Sequence, residues 1–375
     1  MSTEAIAAAV RESAFAKNAL RIAGAGTWLD AGRPVRARET LSVRQHTGVR
    51  SYVPADLTLT LAAGTSLSEV EAITRENRQW LPLDPYGSPD GTIGATIATA
   101  SAGPLSSNFG LPRDLVLGME FVNGRGEVVR AGGKVVKNVA GFDLTRLLTG
   151  SWGSLGVITE VSLRLYALPE SDRTFVINLS ESEKQTGSLL RAIVSAPLSP
   201  YALLLVSPSI ARALHLGEQG AGIVRFGGNS AAVKAQVAGL AQIAAIEEID
   251  SGTWASLRQI DNGSHTSLRI SSLPQRIAGA AARILNDDVA GVYTAIDPRR
   301  GVIRVVAGVA DDAASPADPV GIQPSGTSEL VFEKLPADLW PVVSPSVVAD
   351  PLSQGIKRAY DPHNILNPGV LGDLN

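Results

Sequence analysis

"RIAGAGTWLD", residues 21–30, is a short apolar strand that runs into a glycine-spaced bend. A bend of this kind can bring main chain against a phosphate, because glycine leaves consecutive N–H groups uncovered. Three classes of nucleotide-binding protein open this way, and the residues after the bend separate them. A G-x-G-x-x-G dinucleotide fingerprint needs a third glycine, a helix, and an acidic residue roughly 20 positions on. Gly24 and Gly26 supply two glycines, but position 29 is Leu, and Arg44 and Gln45 stand where the acid is needed. The intervening "LDAGRPVRARETLSV" (29–43) carries Gly32, Pro34 and charges that prevent a long amphipathic helix. A P-loop fails as well, since no Gly-Lys-Ser/Thr follows. What remains is a strand–loop–strand unit. Its bend is either an anion-binding row of N–H groups at Gly24, Ala25 and Gly26 or a tight glycine turn that binds nothing.

Composition narrows the classes further. The 375 residues, 45% hydrophobic and 18% charged, suffice for two domains with separate cores. With 33 basic and 36 acidic residues mixed along the chain, there is no electrostatic footprint for nucleic acid. The absence of cysteine excludes disulfides, a cysteine nucleophile, iron–sulfur ligation and thiolate zinc sites in this chain, and fits a reducing compartment. The N-terminal stretch carries Glu4, Arg11 and Glu12, which marks an amphipathic helix and not a signal peptide. Nothing approaches eighteen consecutive apolar residues, so a soluble cytoplasmic protein without direct membrane insertion is expected. The four histidines, 46, 215, 265 and 363, show no metal-ligand spacing, and no metal is expected.

Along the chain the patterns predict a helix over 3–18 and a strand over 20–23. They continue with a strand over 57–63 and a helix over 67–77 capped by Thr65 or Ser66. Residues 91–103, "GTIGATIATASAG", hold nothing larger than Ile. Such a run either packs two backbones closely, as in a plain helix, or lets a large flat ligand approach the main chain. A hairpin follows, 116–122 turning at Asn123-Gly124 into 127–130. Then come a short helix over 142–149, a loop spaced by Gly150, Gly153 and Gly156, and an alternating strand with Val157, Thr159, Val161, Leu163 and Leu165 on one face. Beyond 171, strands (174–178, 202–206, 222–226, 302–308) and helices (182–195, 231–245, 274–286) suit an antiparallel sheet covered on one face. "DDAASPADPVGIQPSGTS" (311–328) reads as a mobile loop, and no internal repeat is found.

In this order, "RIAGAGTW", "VPADLTLTLAAGTSLSEVE", "LPLDP", "GTIGATIATASAGP", "LPRDLVLG", "NGRGEV" and "GGKVVKNVAGFDLTRLLTGSWGSLGVITEVSLRL" resemble the FAD-binding domain of the vanillyl-alcohol-oxidase (PCMH-type) flavoprotein family. Within it they resemble the branch of glycolate oxidase E subunits. "IKRAYDPHNILNPGVL" (356–371) resembles the family's C-terminal return segment, and the motifs cover about half the chain. The resemblance implies an α+β protein: a PCMH-type FAD-binding domain of two α+β subdomains at 1–170, a smaller α+β cap over the flavin ring at 171–335, and a segment at 336–375 that returns to the first.

By the same resemblance, the loop of Ala23, Gly24, Ala25, Gly26 and Thr27 receives the FAD pyrophosphate. Gly91, Thr92, Ile93, Gly94, Ala95, Ala98, Ser101, Gly103 and Pro104 follow the ribityl chain and the ring, and Trp28 and Pro82 are cofactor-binding residues as well. Gly156, Val157 and Ile158 clasp the adenine end, and Asn364 joins from the return segment. Which of Lys134, Lys137, Asn138 or Asp143 touches the cofactor stays open, a surface salt bridge being the alternative for the lysines. Some relatives bond the flavin covalently through a histidine beside the first loop. Thr27 and Trp28 occupy that place here, which implies non-covalent FAD.

Oxidation of a 2-hydroxy acid to the 2-oxo acid by hydride transfer to flavin N5 also needs a base for the hydroxyl proton and a cation for the carboxylate. His265 and Arg269 are the substrate-site candidates, against the alternative of a loop histidine and a structural salt bridge. The general base stays unassigned. The implied setting is a complex with a second flavoprotein subunit and an iron–sulfur subunit, with any membrane association indirect. Alternatives are a non-catalytic flavin-carrying or architectural subunit, or a stand-alone FAD oxidase of another alcohol.

Overall fold

The structure, a computed structural model, describes residues 1–133, 143–180, 182–277, 281, 285, 289–308, 329–343 and 350–372. They fall into two units. One comprises Met1–Ala102, Gly110–Leu168 and Ala337–Asn375, and the other Gly103–Phe109 and Pro169–Pro336.

In the first unit, helix α1 (Thr3–Ala16) starts at Ser2, whose Oγ accepts from Ala5 N at 3.2 Å, and stops at Lys17 in the left-handed region. Strands β1 (Leu20–Ala23) and β2 (Glu39–Ser42) pair in parallel. Ile6, Ala7 and Val10 of α1 bury against Leu20, Leu41, Val122 and Val157. A five-stranded antiparallel sheet follows. Its members are β3 (Val49–Val53), β4 (Thr58–Ala62), β6 (Val116–Val122), β7 (Val128–Gly132) and β8 (Val157–Arg164), in the order β3-β4-β8-β6-β7. A small ladder joins β5 (Gln79–Trp80) to β9 (Tyr166–Ala167).

Helix α2 (Leu67–Arg75) begins at a reciprocal capping box between Ser66 and Glu69. Helix α3 (Ile93–Thr99) lies within the small-residue run. Its Ile93 and Ile97, one turn apart, pack with Leu59, Leu61, Phe121 and Leu163. A Cβ at Gly94 would lie 2.6 Å from Ala63 Cβ, so the missing side chain lets the helix meet the end of β4.

Two local readings change. Val157, Thr159, Val161, Leu163 and Leu165 are all fully buried. They do not share one core, because the register against β6 shifts between Glu120 and Phe121. Val157 therefore joins the α1 cluster, and Val161, Leu163 and Leu165 the α3 cluster. Thr159, at the shift, donates to Glu120 Oε1 at 2.9 Å, a buried carboxylate that also accepts from Thr3 Oγ1 at 2.9 Å and Arg130 Nε at 2.9 Å. The hairpin loop is longer than the Asn-Gly pair suggests. Asn123 Oδ1 accepts from Arg125 N and Glu127 N, and the left-handed residue is Gly126. Gly124 is pressed against Asp361, where a Cβ would sit 2.5 Å from Oδ1.

The chain end returns to β1. After the helix Pro351–Tyr360, buried Asp361 accepts from Ile365 N (3.1 Å), Leu366 N (2.8 Å) and Lys357 Nζ (2.8 Å). Leu20 N then donates to Ile365 O at 2.7 Å and Asn367 N to Leu20 O at 3.0 Å. The Asn367 carboxamide accepts from Ile22 N at 2.7 Å and donates to Trp152 O at 2.7 Å.

The second unit is an eight-stranded antiparallel sheet. It runs through β10 (Ser171–Asn178), β11 (Ala202–Val206), β12 (Ala221–Gly228), β13 (Glu247–Ile249), β14 (Thr266–Ser271), β15 (Val292–Asp297), β16 (Val302–Ala307) and β17 (Glu329–Lys334). Their order is β13-β10-β12-β11-β15-β16-β14-β17. The expectation of helices on one face is corrected. Phe175, Leu203 and Val224 pack with Ile193, Val233 and Leu240 of the helices Glu183–Ser195 and Ser230–Ala241. Val176, Leu204 and Ile223, on the opposite face, pack with Ile210, Trp254 and Leu257 of Pro208–Ala213 and Thr253–Arg258. The uninterrupted "ALLLV" of β11 carries that two-sided burial in its sequence. The helix expected over 274–286 is described only at 274–277, 281 and 285, and the loop 311–328 lies outside the described residues.

Asn367→Ala should lower the unfolding free energy by about 1–3 kcal/mol, because two part-buried main-chain groups lose their partner. Urea melts check this, and a change under about 0.5 kcal/mol would mean the carboxamide is not the tie.

Candidate functional site

The bend after β1 meets the start of α3 at one point. A Cβ at Gly24 would sit 2.2 Å from Thr92 Oγ1 and 3.1 Å from Ala95 Cβ. From that contact the two segments part, and the bend 23–29 faces Gly91, Thr92, Ala95, Ala98 and Ser101 across a trough. It encloses about 1130 Å³ of non-atom space, part of it open solvent.

Main-chain donors decide which wall can hold an anion. In the first turn of α3, Ile93 N donates to Thr65 O at 2.9 Å, Gly94 N to Ala63 O at 2.8 Å, and Ala95 N to Thr92 Oγ1 at 3.4 Å. The N–H groups of Gly24, Ala25, Gly26 and Thr27 donate to no acceptor among the described residues. Gly26 has φ +80°, which lets the row curve without a side chain in the way. Among the described residues Arg21 is the one charged residue in the lining, and its Nη2 donates to Leu29 O at 2.8 Å. No carboxylate among them lines the trough to repel an anion.

One wall is aromatic. Trp28 stacks on Trp152 with ring centroids 5.8 Å apart and planes 23° apart. Trp152 sits at φ 54°, donates its N–H to Ala98 O at 2.8 Å, and lends its carbonyl to Asn367. Gly32 leaves room for the ring, since a Cβ there would lie 2.9 Å from Trp152 Cζ3.

Comparisons with known proteins agree with this geometry. Residues 1–132 match the FAD binding domain family. It is 38% identical over 183 residues to glycolate oxidase subunit GlcE of Escherichia coli, a match covering 48% of this chain and 52% of that protein. It is 32% identical over 181 residues to glycolate oxidase subunit GlcD of Bacillus subtilis, 48% of this chain and 38% of that protein. The chain thus spans about half the length, or less, of these curated relatives. Its fold is that of 4-ethylphenol oxidase from Gulosibacter chungangensis, with a TM-score of 0.74 at 15% identity over 99% of this chain and 88% of the other.

The trough suits FAD, the ligand named by the matched family, with unspent donors for phosphate oxygens on one wall and small residues for a flat ring system on the other. Of the residues expected from sequence, Ala23, Gly24, Ala25, Gly26, Thr27 and Trp28 line it. So do Gly91, Thr92, Gly94, Ala95, Ala98, Ser101, Gly156 and Ile158. Ile93 and Val157 turn into the core, and Pro82 is buried outside the lining. Gly103 and Pro104 belong to the segment Gly103–Phe109 of the second unit. Asn364 lies on the return segment at φ 49°, its Oδ1 buried and without a partner.

Asp143 caps the helix Leu144–Leu148, and its bond from the Thr145 hydroxyl, before others, holds its carboxyl below the ordinary range. Lys134, Lys137 and Asn138 lie outside the described residues.

Sequence reading missed Arg21, Tyr86, Thr99, Trp152, Gly153 and Asn367, all in the lining. The glycines around Trp152 were the one available signal.

His265 and Arg269 lie in the second unit. His265 is exposed just before β14, and Arg269 Nε stands 3.6 Å from Glu333 Oε1. Arg304 pairs with the same glutamate and with Asp261 at 2.6 Å, so Arg269 is at the rim of a partly buried ion network. None of the four histidines lines the trough. Among the described residues no cluster of His, Cys, Asp and Glu could hold a metal.

Gly24→Ala should displace Thr92, cost about 1–3 kcal/mol, and lower the flavin retained on purification, whereas Ala25→Gly should leave flavin content unchanged. Melting curves and flavin-to-protein absorbance ratios separate the two; equal behaviour would contradict the contact as the organiser of the trough.

Proposed function

We propose that this chain is an FAD-dependent oxidoreductase subunit acting on a small 2-hydroxy acid, glycolate or a close relative, and yielding the 2-oxo acid. The carrying observation is the trough: four unspent N–H groups at Gly24–Thr27 opposite a wall of small residues. The similarity to two glycolate oxidase subunits supports the substrate class.

When bound, the flavin would supply the two-electron acceptor for a hydride leaving the substrate's α-carbon. The row Gly24–Thr27 holds the diphosphate through main-chain donors, and the Arg21 charge stands on the same side of the trough. Gly91, Ala95 and Ala98 keep their wall low enough for a ring to lie against it, and the Trp28–Trp152 pair shuts water out at one side. With no histidine in the lining and no cysteine in the chain, the flavin is held without a bond from either residue. Among the described residues no helix is long and apolar enough to cross a membrane. We further propose a complex with a second flavoprotein and an iron–sulfur subunit, the latter because a chain without cysteine cannot ligate such a cluster through thiolates.

A second reading has its own support. Among the described residues the lining holds no His, Lys, Asp or Glu, so these residues offer no ready base for a substrate hydroxyl. In this reading the chain carries flavin, and a partner supplies proton transfer.

The purified chain should release its flavin into the supernatant on acid precipitation, and glycolate added without oxygen should bleach it. Flavin in the pellet would contradict non-covalent binding. Released flavin that no small 2-hydroxy acid bleaches would select the second reading, and a colourless protein that takes up no FAD would reject both.

A further inference from the structure

Residues 151–154 form a turn that strains its own backbone. Ser154 N donates to Ser151 O at 3.0 Å, and the two residues between them, Trp152 and Gly153, stand at φ 54° and φ 69°. Glycine takes this left-handed conformation freely, whereas the Cβ of a tryptophan opposes it. Such a conformation persists only where the surroundings over-determine it.

Lys357 supplies part of that constraint from behind the trough. It belongs to the helix Pro351–Tyr360 and gives its ammonium to Ser154 O at 2.8 Å, Asp361 Oδ2 at 2.8 Å and Leu366 O at 3.1 Å. An ammonium has three donors, so all three are spent. Its side chain is 18% exposed and that of Asp361 0%, so water competes little for these bonds. Two of the acceptors belong to segments that carry the lining. Ser154 closes the turn that presents Trp152 and Gly153, and Leu366 directly precedes Asn367, whose carboxamide donates to Trp152 O. Lys357 itself does not line the trough.

We propose that Lys357 is a positioning residue for FAD: it ties the strained turn to the return segment, so that the wall carrying Trp152, Gly153 and Asn367 has its binding shape before the cofactor arrives. The assignment rests on the FAD reading above. Lys357 acts through main-chain carbonyls and touches no cofactor. Affinity depends on it because a wall that had to be ordered on binding would subtract its ordering entropy from the binding free energy.

Lys357→Met keeps most of the stem and removes the ammonium. Dissociation constants of FAD for the flavin-stripped full-length chain and the variant are measured by quenching of flavin fluorescence, well below both melting temperatures. The constant should rise at least about tenfold in the variant. A variant that melts earlier yet binds FAD as wild type does would overturn the proposal, since a residue that only stabilised the fold would leave the affinity of folded molecules unaltered.

Should the variant not fold, amide hydrogen exchange of cofactor-free wild type gives the answer. Trp152 N–H, bonded to Ala98 O, and Asn367 N–H, bonded to Leu20 O, should exchange at least about a thousandfold more slowly than in an unstructured chain. Faster exchange in the cofactor-free chain would overturn the proposal, because the wall would then lack its shape before FAD arrives. A wild-type chain that takes up no FAD would bring down the functional reading itself, a result distinct from an unaltered constant in the variant.

Discussion

Everything at the trough depends on a contact that tolerates no side chain: the α-carbon of Gly24 against the Thr92 hydroxyl. Thr92 is committed from the other side, because the same hydroxyl caps α3 by accepting from Ala95 N. A methyl group at position 24 would have to dislodge the cap. The contact therefore fixes the origin of both walls, and their divergence from it opens the space. It also settles the division of donors. The first turn of α3 spends its N–H groups on Thr65, Ala63 and Thr92, whereas the bend keeps its donors in reserve. In polar terms the helix end is closed and the bend is open, which is why the anion site belongs to irregular backbone and not to a helix terminus.

The bend would not hold this shape alone, since β1 is four residues long and pairs with one short strand. The return segment supplies the missing edge. Asp361 gathers the N–H groups of Ile365 and Leu366 and the Lys357 ammonium, and that fold-back presents Ile365 O and Asn367 to β1. One carboxamide then links β1 to the Trp152 loop, which lies 215 residues before it in sequence. Closing so long a loop costs entropy only logarithmically in its length, whereas leaving Ile22 N–H or Trp152 C=O unpaired in a part-buried place costs a full hydrogen bond. Stability of the fold and rigidity of the site thus run through the same side chain.

Much of this was legible in sequence where the signal was local. The Ser66/Glu69 capping box, the hairpin after Val122, and the bend with its glycines each have causes within a few residues. What escaped was non-local. The shift at Thr159 is set by the partner strand β6, and no period-two count along β8 alone reveals it. Helices on both faces of the second sheet were hinted at by "ALLLV", but the short helices Pro208–Ala213 and Thr253–Arg258 are too brief for a periodic signature. Trp152 and Asn367 carry no local mark of their role, because each acts on a segment far away in the chain. The small-residue run was read as either close packing or ligand approach, and it serves packing at Gly94 and the trough at Ala95 and Ala98. A helix has two sides, so the alternatives were never exclusive.

The chemistry of the lining argues for a division of labour. A site for a dinucleotide anion needs donors that cannot lose their charge or dipole near neutral pH, and main-chain N–H groups and an arginine both qualify. A site for removing a hydroxyl proton needs the reverse, a group able to change protonation state, and among the described residues the trough holds no carboxylate, histidine or lysine. Keeping such groups out has a cost and a benefit. A carboxylate among the donors would repel phosphate and compete for the same N–H groups, so its exclusion strengthens binding of the cofactor. In the proposed reaction the proton from a substrate hydroxyl would then go to a group outside this described lining, and substrate selection would go with it. The donors described in the first unit bear on which cofactor is held and leave the choice of substrate to other residues.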